Sequence, residues 1–392
     1  MVKIESISSH ILRVPLEQDK VFYSSQAKFT ERNSYLVRIE TDTGLIGWGE
    51  GGQYGPAEPV AAIVDHVFAQ KLLGRDPTQP VVIWEELYAF SRDFGQKGTY
   101  IEAISAIDIA LWDISGQVAG LPVCKMLGGA FRGKVKAYAT GYYYPEKFDD
   151  MSGVLEKLRK DVSGYRESGF DMLKVKIGLL DVHADAERLR VIREHVGPDV
   201  DIMVDANHAY SASTAIQMGR LMAPYNIRFF EEPVVPEDKE GYRRVRADNP
   251  VPVAGGETEF TRFGFHDFIS GGCVDIVQPD LGVCGGFTAF TQILAIATVH
   301  GVLVVPHVWG SGIAVAAALQ AIAIIPPTPH TANPIPLQNE PVVEFDRTHN
   351  SLRDDLLNEK FTLEDCYVRV PQTRGLGVTV NMDVLKMYEV KW

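Results

Sequence analysis

The chain has 392 residues, 46% hydrophobic and 23% charged, with a formal net charge of −13. This composition excludes a disordered or collagenous chain, because there is ample material for a large core. An acidic chain without a run of Lys and Arg has no electrostatic footprint for nucleic acid or an anionic membrane. An anionic substrate would need local positive charge from a metal or a few lysines. Cys124, Cys273, Cys284 and Cys366 are scattered without a CxxC spacing, which is no disulfide scaffold. The opening MVKIESISSH lacks the apolar stretch of a leader. The longest apolar stretch, Ile313–Ile325, is 13 residues, too short to span a bilayer. The expectation is a cytoplasmic protein, assembled as a homo-oligomer, with a small-molecule substrate and neither a nucleic-acid nor a membrane partner.

The early part of the chain alternates. Ser34–Glu40 and Leu45–Glu50 read as strands joined at Asp42-Thr43-Gly44, a hairpin signal. Ile104, Ile107, Leu111, Ile114 and Val118 then recur in steps of 3 and 4, a helix stopped by Gly120-Leu121-Pro122. This predicts an α+β module over residues 1–130. From Val135 a different unit repeats: short apolar runs at Val135–Thr140, Met172–Ile177, Ile202–Val204, Ile227–Phe230, Val251–Ala254, Val274–Val277 and Val302–Val305. Helical stretches such as Ala184–His195 and Phe287–His300 lie between them. Continuous Val/Ile-rich runs alternating with helices indicate parallel strands buried on both faces. Seven such units predict a closed β/α barrel over 131–344. The segment 345–392 alternates again at Tyr367–Val370 and Gly377–Val380 and is expected to return to the first module.

Active sites of parallel barrels lie at the C-terminal ends of the strands. Three successive strands deliver a carboxylate there: Asp205, Glu231 and Glu257, spaced 26 and 26 residues apart. One such acid is usually a helix cap or a loop residue. Three converging on one mouth repel one another unless a cation holds them, and oxygen-only donors select a hard ion, most plausibly Mg²⁺. Lys174 and Lys176 share parity, so both point to one side of a strand whose neighbours Met172, Leu173, Val175 and Ile177 describe a buried environment. Two ammoniums side by side near a divalent metal are expected to depress each other's pKa, which suits a base. Asp280 and His307 end the next two strands, a pairing that fixes a tautomer and raises a His pKa. His208, His266 and His300 read as structural. Gly282-Val-Cys-Gly285-Gly286 lacks any phosphate-loop spacing and reads as a tight turn.

These residues resemble the enolase superfamily, and specifically its mandelate racemase/muconate-lactonizing group: Lys174-x-Lys176, then Asp205, Glu231 and Glu257, then the Asp280/His307 dyad. The stretch Ala103-Ile-Ser-Ala-Ile-Asp108-Ile-Ala-Leu-Trp112-Asp113-Ile, with Gly120-Leu-Pro122 and Leu127-Gly-Gly129, resembles the group's N-terminal signature. The likeness covers essentially the whole chain. It implies an α+β capping domain over a modified (β/α)7β barrel. It also implies Mg²⁺-assisted removal of a proton α to a carboxylate; members of this superfamily are known to use a Lys or His base with one or two Mg²⁺ ions. Lys176 and His307 would approach the α-carbon from opposite faces, and Lys174 would neutralise a carboxylate oxygen. A glutamic acid late in the barrel would donate a hydrogen bond to the enolate, Glu344 being expected in that role and Glu340 its rival. Within the group the motifs are most similar to galactarolactone cycloisomerases and acid-sugar dehydratases, which implies a small anionic sugar acid or lactone as substrate. Cap loops at 20–29 and 51–55 carry Tyr23, Ser24, Ser25, Gln53 and Tyr54, side chains suited to a polyol. Loss of a β-hydroxyl makes a dehydratase and loss of a ring or lactone oxygen a cycloisomerase. Return of a proton makes a racemase or epimerase. A catalytically silent barrel is the reading from a different class; the completeness of the residue set stands against it.

Overall fold

The computed structural model describes residues 2–52, 55–145, 150–327 and 340–392. The predicted hairpin is the second half of a three-stranded antiparallel sheet of β1 (Ile4–Pro15), β2 (Glu31–Thr41) and β3 (Ile46–Gly51), ordered β1-β2-β3. Across it lies α1 (Thr99–Ala119), whose Ile104, Ile107, Leu111 and Ile114 are buried, while Val118 at the last turn is exposed. The sheet and the helix approach closely because β3 carries glycine on its inner face. A Cβ built on Gly49 would stand 1.8 Å from the Ala106 carbonyl oxygen, so no other residue fits there.

From Lys134 the βα unit repeats. The parallel strands β4 (Lys134–Tyr142), β5 (Met172–Lys176), β6 (Asp201–Asp205), β7 (Ile227–Glu231), β8 (Val253–Gly255), β9 (Ile276–Val277) and β10 (Leu303–Val304) are hydrogen-bonded in chain order. The eighth, β11 (Val342–Asp346), pairs in parallel with β4. Packing closes the barrel. Tyr138, Met172, Met203, Phe229, Ala254, Ile276, Val305 and Val342, one from each strand or its end, form a single buried cluster on the axis. Because side chains alternate along a strand, the next inward positions are Thr140, Lys174, Asp205, Glu231, Gln278, His307 and Glu344. An apolar floor thus carries a polar layer directly above it.

The tail takes a longer route than expected. A short ribbon, β12 (Leu363–Glu364) and β13 (Tyr367–Arg369), joins the barrel instead of the cap sheet: β13 runs antiparallel to Lys134–Lys136. There it covers the start of β4, an edge that β11 reaches only from Lys136 onward. The chain meets the cap on both sides of this ribbon: before it the His349 carbonyl accepts from Arg32 at 3.4 Å, and after it Gly375 N–H donates to the Leu121 carbonyl at 3.0 Å and Val390 N–H to that of Ile11 at 2.9 Å.

Buried carboxylates join cap and barrel. Arg32 of β2 pairs with Asp346 of β11 at 2.7 Å. Asp108 of α1 accepts from Thr288 N–H at 3.0 Å and its hydroxyl at 2.5 Å, at the start of α2 (Gly286–His300). Glu50 of β3 accepts from Ser311 N–H at 2.9 Å and Ala314 N–H at 3.1 Å, at the start of α3 (Gly312–Ala323). Orphan N–H groups at the helix starts are satisfied by buried carboxylates from the other module. No helix among the described residues is long and apolar enough to cross a membrane.

Candidate active site

In the parallel register Lys176 stands opposite Asp205, and Asp205 opposite Glu231, so three adjacent strands set these side chains in one row. Glu257 breaks the alternation. It follows Gly256, whose φ of +116° turns the chain where β8 ends, and a Cβ there would press on Phe265 at 3.1 Å. The turn swings Glu257 into the row. Asp205, Glu231 and Glu257 are buried and each presents a carboxylate oxygen within 4.8 Å of the others. The donor set is oxygen only, and the buried Oε2 of Glu257 has no hydrogen-bond partner among the described residues. Both features fit a hard cation.

Two lysines also balance these charges. Lys174, wholly buried, reaches Glu231 at 2.8 Å and Glu344 at 2.9 Å, and Lys176 donates to Asp205. Gln278 Nε2 donates to the second oxygen of Glu231 at 2.8 Å. Burial alone would lower the lysine pKa values. The carboxylates outweigh it: Glu231 and Glu344 hold Lys174 well above its usual value, and Asp205 does the same for Lys176. With their charge in place, Asp205 and Glu257 outweigh the second lysine at Lys176; the depression expected there is that of a site whose acids are neutralised by a divalent cation. Asp205, despite burial, is held down to about 2 by Lys176 and Lys174, whereas burial pushes Glu231 up to about 8.

His307 Nδ1 meets Asp280 Oδ2 at 2.7 Å, and its Nε2 faces Glu257 at 3.4 Å and Glu344 at 3.6 Å. Burial would lower its pKa, but Glu257 and the Asp280 hydrogen bond raise it to about 9. Glu344 accepts from the Thr140 hydroxyl at 2.6 Å. Burial works against its charge, yet Lys174 and His307 hold its carboxyl below the usual range, so it stands in this charge balance as an acceptor. Glu340 lies before β11, where its carbonyl accepts from Arg228 at 3.4 Å, away from this cluster.

A cavity of about 360 Å³ opens above the row. Lys176, Glu257 and His307 line it, while Lys174 lies buried beneath. The cap loop contributes Ser24, Gln26, Ala27 and Phe29. Ser25 serves differently: its hydroxyl donates to the Ala206 carbonyl at 2.6 Å and pins the loop to the end of β6. Tyr23 pairs its backbone with Tyr144. Gln53 and Tyr54 lie outside the described residues. The sequence reading did not single out Glu102, Tyr143, Asn207, Thr258, Phe260 or Trp309, which complete much of the wall. His208, read as structural, also lines it, with Nε2 3.1 Å from Glu232. Its place three residues after Asp205, just past a strand end, was the signal available.

Residues 12–128 match the N-terminal domain of mandelate racemase/muconate lactonizing enzyme, and residues 157–384 match the enolase C-terminal domain-like family. The chain is 44% identical over 389 residues to a D-galactarolactone cycloisomerase of Agrobacterium fabrum, covering 99% of each chain. It is 37% identical over 355 residues to an arabinonate dehydratase of Saccharolobus solfataricus, covering 91% of this chain and 90% of that one. Among solved structures, the 3,6-anhydro-D-galactonate cycloisomerase of Zobellia galactanivorans superposes with a TM-score of 0.86 at 37% identity, covering 99% of this chain and 100% of the other. The barrel with its α+β cap, the carboxylate triad and these likenesses agree: the chain belongs to the mandelate racemase/muconate lactonizing enzyme group of the enolase superfamily.

Proposed function

We propose that the protein removes the proton α to the carboxylate of a sugar acid or sugar-acid lactone, with Mg²⁺ held by Asp205, Glu231 and Glu257. The galactarolactone cycloisomerase reaction, in which a lactone oxygen then leaves, is the best reading. The observation that carries it is the pairing in one cavity of Lys176 and His307 on either side of a buried carboxylate triad. When bound, the cation would supply Lewis-acid stabilisation of the negative charge that develops on the substrate carboxylate. Lys176, released from its proton where the cation takes over the charge of Asp205, would take the α-proton from one face. His307, oriented through Nδ1 by Asp280, presents Nε2 to the other face, where it protonates the departing oxygen or returns a proton to carbon. Lys174 sets positive charge beneath the acceptor end, and Glu344 serves as hydrogen-bond donor to the enolate only when it carries a proton. Acid-sugar dehydration uses the same first half and is the second reading, favoured by the likeness to arabinonate dehydratase. The homo-oligomeric assembly and cytoplasmic location belong to the same proposal. A panel of aldonates, aldarates and their lactones with Mg²⁺, followed by NMR for isomers and by semicarbazide for keto products, tests it. Turnover of a lactone to a ring-opened or ring-transposed isomer supports the cycloisomerase. Turnover of uncharged sugars alone would sink the reading.

A further inference from the structure

Glu102 takes no part in the chemistry above, yet it lines the same cavity. It sits in the first turn of α1, in the cap, a position where a helix start favours an acid. Its side chain has no hydrogen bond or ion pair among the described residues, in contrast to Glu50, Asp108 and Asp113, the other buried or half-buried acids of the cap core. Space for it is provided by the chain itself. A Cβ on Gly52 would stand 3.3 Å from Glu102 Oε2, so the bare backbone there leaves the carboxyl its room. The Ser105 hydroxyl, one turn further along α1, accepts from Gly285 N–H at 2.9 Å, which sets this part of the helix beside the turn after Asp280, the partner of His307; burial, and then Asp280, push the Glu102 pKa up to about 7.

The rest of the wall gives this position its meaning. Lys176 and His307 are the basic groups committed to the α-carbon. The other described lining residues away from the triad are Ser24, Gln26, Tyr143, Asn207, Thr258 and apolar or aromatic side chains, with His208 set against Glu232 and held toward its neutral form by burial. No Arg or further Lys lines the cavity among the described residues. Among the described lining residues, positive charge is provided for one substrate carboxylate, at the triad. A second, at the far end of an open-chain dicarboxylate, would meet hydroxyls, amides and a carboxyl. Hydroxyl groups, which can donate to Glu102, would be welcomed in the same place.

We infer that Glu102 is a specificity-determining residue that hydrogen-bonds a substrate hydroxyl on the His307 side and restricts the enzyme to substrates with a single free carboxylate, namely aldonates or aldaric-acid lactones, against open-chain aldarates. The inference rests on the function proposed above and narrows its substrate class.

The test compares kcat/KM for matched pairs, each an aldaric-acid monolactone and its open-chain dianion, in the Mg²⁺-loaded wild type and in Glu102→Gln and Glu102→Ala. Exchange of the α-proton in D₂O is followed in parallel. Wild type should prefer the monoanion by at least roughly tenfold, and Glu102→Gln, which keeps the shape and removes the charge, should shrink that ratio severalfold. Glu102→Ala should raise KM for the lactone more than it lowers the exchange rate. A wild type that turns over both members equally overturns the inference, even if neither variant folds. So does an unchanged ratio in Glu102→Gln. If no acid sugar exchanges its α-proton in wild type, the proposed function falls as well; if exchange is brisk and only the ratio fails, Glu102 alone is misassigned.

Discussion

Lys176 and Asp205 face each other across two parallel strands, and the lysine ammonium donates directly to the aspartate carboxylate. The proposed base is thus positioned by one of the proposed metal ligands, so the two halves of the site share a side chain. Asp205→Asn should accordingly damage both. Mg²⁺ affinity by calorimetry should fall by at least the roughly 10–100-fold known for loss of a residue that merely supports a ligand. Exchange of the α-proton should fall with it. Glu231→Gln, which does not touch Lys176, should cost Mg²⁺ affinity to a similar degree. Wild-type affinity in both variants would mean that the triad is not the metal site.

The two basic groups should fail in different ways. With Lys176 replaced by Ala, neither α-proton exchange in D₂O nor product should appear. With His307 replaced by Asn, exchange should continue while product formation drops by roughly 10²–10⁴-fold, the usual weight of a general acid. Exchange that depends on His307 and not on Lys176 would reverse the roles. Full turnover in both variants would remove the two-face mechanism.

Gly256 adopts φ +116° and lies against Phe265. Gly256→Ala should lower stability by roughly 1–3 kcal/mol, the range for a side chain forced into such a backbone region. It should also weaken Mg²⁺ binding by displacing Glu257, although no ligand is altered. Thermal melts with and without Mg²⁺ separate the two effects. A variant with wild-type affinity and melting temperature would show that the turn tolerates a side chain.

Asp113 ties Trp48 N–H at 3.1 Å and Leu376 N–H at 2.9 Å, joining β3 to the tail. Burial raises its pKa from 3.8 to about 6, against the pull of those donors. A carboxyl whose folded pKa lies above its unfolded one binds more protons in the native state. Its contribution is complete below about pH 4 and is lost as pH rises through about 6. Chemical denaturation across that window should show Asp113→Asn with a flatter pH dependence than wild type, by on the order of 3 kcal/mol. Below about pH 4 the variant should be the less stable protein, because an amide offers one acceptor where the carboxyl offers two, and that deficit should shrink as pH rises through about 6. Parallel curves for the two proteins would show that Asp113 does not titrate in that range.

Much of this site could be read from spacing alone, because barrel strands translate sequence parity into geometry. Met172, Lys174 and Lys176 point inward together, as do Met203 and Asp205, and no tertiary knowledge is needed to see it. Glu257 was legible for a weaker reason, its equal interval from Glu231, since its strand's parity would have put Gly256 in its place. The cavity wall was less legible. Glu102 sits on a helix whose pattern speaks only of burial, and Tyr143, Phe260 and Trp309 come from loops, whose course no periodicity reveals. The hold of the carboxylates on the lysines was not legible, because a linear reading sees Lys174 beside Lys176 and cannot weigh four acids arriving from other strands. The tail's detour followed from an edge at Lys134 that exists only once β11 has docked.

The acids that Glu50 and Asp108 lend to α3 and α2 belong to one module, and the helix starts that need them belong to the other. Just upstream of those starts lie Asp280 and His307. A cap transplanted from a relative without acids at these two places would leave buried N–H groups bare beside the reacting residues. The module that chooses the substrate and the module that transforms it are therefore poor candidates for exchange as separate parts. Chimeras in this group should be cut so that β3, α1 and the starts of α2 and α3 travel together, and divergence of specificity is best sought in the loops that hang from that shared frame.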